Sequence, residues 1–351
     1  MASEKIDPSA DRNRGAVVLT SIAPPNDVMR RIASDCRERG IRFYVVGDTK
    51  SPADFALDGC EFFSVDAQVA SGSRHAELCP TRHYARKNFG YLMAMRQPID
   101  FIVETDDDNM PSDDFYRPLP IDLAVPSVSG CGWLNVYRYF TDQLIWPRGL
   151  PLDTINAPLP EPVDGEMIRA PIQQGLADEN PDVDAIFRLV LPLPFTFEKR
   201  LRLALGDGAW CPFNSQNTVF YREAFPLLYL PAYCSFRMTD IWRSFVAQRI
   251  AWANGWSVLF REATVVQDRN DHSLMRDFED EISGYLGNEK IRQALQALDL
   301  PSGVEAIPDA MRMCYRALTD QGFVGAEELP LLDAWLEDLE RFGRGNTRTP
   351  G

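Results

Sequence analysis

The feature that most narrows the possible folds is a series of short apolar runs that end in polar residues and alternate with helical patterns. Ala16-Val17-Val18-Leu19-Thr20-Ser21-Ile22 reads as a buried strand running into Pro24-Pro25. Asn26 stands where it would cap a helix through about Arg39, in which Val28, Ile32 and Cys36 recur at helical spacing. Phe43-Tyr44-Val45-Val46 makes a second buried strand ended by Gly47-Asp48, and Glu61-Phe62-Phe63-Ser64-Val65 a short third. A helix from about Arg82 to Arg96 precedes a fourth strand, Phe101-Ile102-Val103, which runs directly into Glu104-Thr105-Asp106-Asp107-Asp108. This order describes an α/β protein with a mostly parallel sheet flanked by helices. Such sheets bind ligands beyond the carboxyl ends of their strands, where Thr20-Ser21, Gly47-Asp48 and the acidic run all fall.

Residues 118–200 are rich in proline and show no clear element. Beyond them a helix is marked from about Thr239 to Asn254, with Gly255 as its stop. A strand follows at Ser257-Val258-Leu259-Phe260, and helical patterns around 275–298, 305–319 and 326–342. The organisation expected is a loose tail over 1–14, one α/β domain over 15–272 and a helical C-terminal region over 273–351.

Charge and cysteine content exclude several classes. With 51 acidic against 36 basic residues the formal charge is -15, which argues against a protein that grips nucleic acid through its phosphates. The seven cysteines form no Cys-x-x-Cys pair and read as reduced thiols, neither a disulfide framework nor a zinc site. The polar N-terminus lacks a signal-peptide run, and no window of about 18 apolar residues suggests a membrane span. The expected compartment is the cytoplasm.

The acidic run is the first candidate for chemistry. Adjacent like charges cost free energy unless a cation compensates. Carboxylate oxygens suit Mg²⁺ or Mn²⁺, with substrate phosphates completing the shell. The bland alternative is a solvated turn leading to a helix at Ser112. Arg82, Arg86 and Lys87 open the preceding helix and either bind phosphate or form a solvated face. Asn214-Ser215-Gln216-Asn217 suits hydroxyl recognition and equally a plain polar loop. Asp240 is either a helix cap or a general base. His272, beside Arg269 and Asn270, is either a metal or phosphate ligand or an ordinary histidine, whereas His75 and His83 read as plain core or surface histidines.

These stretches resemble the STELLO-type glycosyltransferase family. The matching segments are Arg86-Lys87-Asn88-Phe89-Gly90-Tyr91-Leu92, Glu104-Thr105-Asp106-Asp107-Asp108, the runs 172–178 and 180–188, Asn214-Ser215-Gln216-Asn217 and Thr239-Asp240-Ile241-Trp242-Arg243. A weaker, local likeness of the acidic triplet is to the plant reversibly glycosylated polypeptides, which are UDP-arabinose mutases. The main resemblance implies a GT-A fold over 15–272, with Mn²⁺ or Mg²⁺ held by Asp106, Asp107 and Asp108 together with His272. It implies a nucleotide-sugar donor, UDP-linked, and a glycan or other hydroxyl acceptor, with inversion and Asp240 as base. Thr20, Ser21 and Asp48 are expected to face the nucleoside; Arg86 and Lys87 the diphosphate, with Arg243 and Arg269 on the same donor side. Asp178, Asp182 and Asn214–Asn217 would line the sugar and acceptor side. Plant members of the family are Golgi membrane proteins, and with no membrane anchor expected here their location and partners do not carry over. The rivals are a nucleotide-sugar mutase on the same fold and a non-catalytic scaffold.

Overall fold

The computed structural model describes residues 14–268 and 273–343. Among these, ten strands form one sheet. Its first half is built from β1 (Gly15–Thr20), β2 (Arg42–Val46), β3 (Glu61–Phe63) and β4 (Phe101–Thr105). They lie in the order β3-β2-β1-β4, all parallel.

The second half uses β5 (Asn109–Pro111), β6 (Ser127–Val128), β7 (Ile172–Asp178), β8 (Arg202–Leu205), β9 (Asn217–Tyr221) and β10 (Val258–Gln267). The order continues β9-β7-β10-β8-β6, with β5 pairing β10. Here β9 is antiparallel to both β4 and β7, whereas β7 and β10 run parallel. Parallel pairings still outnumber antiparallel ones, so the expected mostly parallel α/β sheet flanked by helices is what the chain forms.

Alternation along the strands divides the interior. Val17, Leu19, Phe43, Val45 and Val103 face the helix α1 (Asp27–Arg39), which Asn26 caps by accepting the Met29 N–H at 2.9 Å. Ala16, Val18, Tyr44, Val46 and Ile102 face the opposite layer, which includes α2 (Lys87–Met95) and α3 (Thr239–Ala253). Each fully buried Val or Leu contributes about 1.5–3 kcal/mol. α2 lies close on the sheet because Gly90 has no side chain: a Cβ there would meet Val18 Cγ1 at 2.6 Å and Val46 Cγ2 at 2.7 Å.

The C-terminal helices α4 (Leu274–Gln296), α5 (Ile307–Asp320) and α6 (Glu328–Gly343) close the same core. Ile291, Tyr315 and Trp335 belong to one apolar cluster with Val18 and Phe220 of the sheet. The region over 273–343 is therefore packed into the α/β body. The tail over 1–13 and the pair Arg269 and His272 lie outside the described residues. Among the described residues no helix is long and apolar enough to cross a membrane, and all seven cysteines are free.

Candidate active site

Beyond the carboxyl ends of β1, β2 and β4 lies a cavity of about 640 Å³. Thr20, Ser21, Asp48, Asp106, Asp107, Asp108, Asp182, Asn214, Ser215, Gln216 and Asp240 all line it, together with Lys50, Arg82, His83, Tyr84, Arg148 and Arg237. Residues far apart in sequence thus meet at the edge that the strand order predicts.

The three aspartates splay apart. Asp106 Oδ1 accepts from Tyr84 Oη at 2.6 Å and from Lys87 Nζ at 3.1 Å. Asp107 Oδ2 accepts from the Ser21 hydroxyl, and the Asp107 carbonyl from Asn26 Nδ2 at 2.7 Å. Burial pushes the Asp107 carboxyl up and neighbouring Asp106 adds to this, while the Ser21 hydrogen bond opposes it. Asp108 Oδ2 accepts from Gln267 Nε2 at 3.1 Å. No group of three or more His, Cys, Asp or Glu is gathered tightly enough to hold a metal among the described residues.

Lys87 and Arg86, expected to face a diphosphate, are turned inward. Lys87 is wholly buried and its ammonium donates to Thr105 O, Ser215 O, Tyr84 Oη and Asp106. It is the floor of the site, holding the end of β4 to the 214–217 turn. Arg86 spends its guanidinium on Gln68 Oε1 and the carbonyls of Ala76, Cys79 and Pro80. Neither residue forms the solvated face that was the alternative, because both lie beneath the helix surface. Arg82 and Lys50 are exposed at the cavity, and no carboxylate pairs with either among the described residues.

Arg243 also lies below the cavity, pairing with buried Glu104 at 2.7 Å and bonding the Asn214 carbonyl at 3.2 Å. Removing one partner of such a buried pair costs about 3–5 kcal/mol. Asn217 is committed to Leu176 O and Thr264 Oγ1, both at 2.8 Å, and Asn214 Oδ1 accepts from Gln174 and from the Gln216 backbone. These amides therefore shape the turn, and Asn217 does not line the cavity. Asp178, at the end of β7, accepts from the Phe197 N–H at 3.0 Å and stands outside the cavity.

At the nucleoside side, the Thr20 hydroxyl donates to Val46 O at 2.8 Å, tying β1 to β2. Asp48 accepts from the Thr49 N–H at 2.6 Å and the His83 N–H at 3.0 Å. Burial pushes the His83 imidazole down, against the pull of Asp48. Its Nδ1 accepts from the Ala85 N–H at 3.0 Å, which assigns the remaining proton to Nε2. His75 is a core histidine, pushed down to about 3 by burial.

The opposite wall is a carboxylate–guanidinium–carboxylate array. Arg148 grips Asp182 through Nε and Nη2 at 2.8 and 2.9 Å, and Asp240 through Nη1 and Nη2 at 3.0 and 2.9 Å. Asp240 lies in the first turn of α3, whose cap position is Met238, so its side chain is not the cap. Arg148 was not foreseen: it stands alone in the proline-rich stretch, and nothing near it in sequence signals its partners.

Over 97% of its length the chain is 27% identical to the probable glycosyltransferase STELLO1 of Arabidopsis thaliana, and over 98% equally identical to the probable glycosyltransferase STELLO2 of the same plant. It spans about half of each relative, 46% and 47%. A solved mycobacterial protein superposes with TM-score 0.40 at 11% identity, covering 79% of this chain and 74% of its own. The stretch over residues 237–347, which contains α3 with Asp240, matches the family of STELLO glycosyltransferases, and the resemblance seen in the motifs holds along nearly the whole chain.

Proposed function

We propose that the chain transfers a sugar from a nucleoside diphosphate donor, UDP-linked, to a hydroxyl acceptor with inversion, assisted by a divalent metal. The observation that carries this reading is one cavity with two chemically distinct walls. Asp106–Asp108 and the cations Lys50 and Arg82, which pair with no carboxylate among the described residues, stand on the donor side, and the Asp182–Arg148–Asp240 array on the other.

Two neighbouring carboxylates of the acidic run offer oxygens to a hard cation, whose shell substrate phosphates would have to complete. Asp106 Oδ2 accepts no hydrogen bond among the described residues, and the carboxyl of Asp107 is pushed up by burial, which a cation would relieve. Asp106 and Asp107 would hold Mn²⁺ or Mg²⁺, with Asp108 beside them and His272 as a further candidate. Such a metal supplies charge neutralisation to a departing diphosphate. Lys50 and Arg82 would bind phosphate oxygens directly. Ser21 orients Asp107, and Lys87 with Tyr84 orients Asp106. Thr20 and Asp48 border the space for the nucleoside, and Ser215 and Gln216 the space for the sugar. One carboxylate of the far wall would accept the proton of the incoming hydroxyl.

Calorimetric titration of UDP and GDP, with and without Mn²⁺, tests the proposal. Metal-dependent binding of UDP is expected, lost in Asp106→Ala/Asp108→Ala. Absence of binding by either nucleotide, with or without the metal, would overturn it.

A further inference from the structure

Arg148 holds Asp182 and Asp240 alike, but the two carboxylates differ in what they have left. A carboxylate offers about four lone-pair sites. Those of Asp240 are filled: Oδ1 accepts from Arg148 and from the Ile241 N–H at 3.1 Å, and Oδ2 from Arg148 and the Ser215 N–H at 3.2 Å. Asp182 accepts only the two bonds from Arg148 among the described residues, one on each oxygen. Its side chain is 11% exposed and lines the cavity. One site on each Asp182 oxygen thus stays open.

We propose that Asp182 is the general base of the transfer, and that Asp240, acting through Arg148, is a positioning residue. This rests on the transferase reading above. As the acceptor oxygen forms its bond to the anomeric carbon, the bond from that carbon to the diphosphate breaks. The nucleoside diphosphate leaves, and the acceptor proton passes to Asp182. Asp240 is poorly suited to that task. Burial alone would push its carboxyl up, but the charge and hydrogen bonds of Arg148 outweigh burial and hold it below the usual carboxylate range. Arg148 is fully committed as well, since its remaining Nη1 donor goes to the Arg237 carbonyl. The clamp therefore fixes Asp182 without masking it.

The test uses the full chain with Mn²⁺ and UDP-linked hexoses, following UDP release to water in the presence and absence of sodium azide. Azide attacks the anomeric carbon as an anion and needs no base, giving a glycosyl azide as UDP leaves. Asp182→Ala is expected to lower release about 100-fold or more while UDP affinity, read by calorimetry, stays within about threefold of the parent. Azide should restore release in that variant and leave Asp240→Ala unrestored. Asp182→Asn, nearly isosteric, guards against loss through misfolding and should be equally slow. Azide rescue of Asp240→Ala instead, or undiminished release by Asp182→Asn, would overturn the role of Asp182 alone. A parent chain that neither binds UDP nor releases it would overturn the transferase reading, and this assignment with it.

Discussion

Lys87 Nζ stands 3.1 Å from Asp106 Oδ1, entirely buried beneath the acidic run. The chain thus carries a cation of its own under carboxylates that, on sequence, call for one from outside. Replacing Lys87 by Met would leave the carbonyls of Thr105 and Ser215 without their donor and Asp106 without its partner. The expected cost is about 3–5 kcal/mol, read as a lower urea midpoint, with UDP binding weakened as well. A variant as stable as the parent would show that this cation is dispensable.

The exposed pair Lys50 and Arg82 offers a cleaner probe of phosphate recognition, because neither pairs with a carboxylate among the described residues. Lys50→Ala/Arg82→Ala is expected to raise the dissociation constant for UDP about tenfold or more and to leave that for uridine unchanged. Equal losses for both ligands would place these side chains against the base or ribose instead.

Glu328 opens α6 and accepts from the Tyr229 hydroxyl and from the N–H groups of Ala232 at 2.9 Å and Tyr233 at 2.8 Å. Burial pushes its carboxyl from 4.5 up to about 7, although those hydrogen bonds oppose the shift. Between the two values the folded state holds a proton that the unfolded chain has released, so stability falls as pH rises. From pH 5 to 8 the parent should lose about 2–3 kcal/mol more than Glu328→Gln, measured by urea unfolding. Parallel pH profiles would refute the assignment.

Gly90→Ala should cost about 1–3 kcal/mol, since the added methyl would press on Val18 and Val46. Thermal unfolding checks this, and a companion Val18→Ala substitution should recover part of the loss if the clash is the cause.

Sequence reading succeeded where a run of like character marks its own surroundings. Val17 and Val18 face opposite sides of the sheet, and both are buried, so β1 reads as one apolar block. β7 escaped notice although it lies mid-sheet, because Gln173 and Gln174 interrupt it. Both are buried, their amides spent on Leu119 and on the 214–217 turn. β9 was likewise obscured by Asn217 and Thr218 at its start, each satisfied within the protein. The strand-end acids could be located because topology alone sends strand ends to the cavity. The direction of Arg86 and Lys87 could not, since a basic helix start looks the same whether its side chains reach solvent or carbonyl groups. Arg148 has partners 34 and 92 positions away, and only the folded chain brings them together.

The sharing of one interior by the sheet and the last three helices bears on how such a chain can be divided. Trp335 and Tyr315 pack on Tyr229, immediately before the segment that brings Phe236 and Arg237 to the cavity. A fragment cut before α4 would bare that aromatic cluster and loosen one wall of the site. Grafting the helices of 274–343 from one relative onto the sheet of another should therefore succeed only when the residues around Tyr229 travel with them. In inheritance as in engineering, the binding wall and its distant helical support form a single unit of exchange.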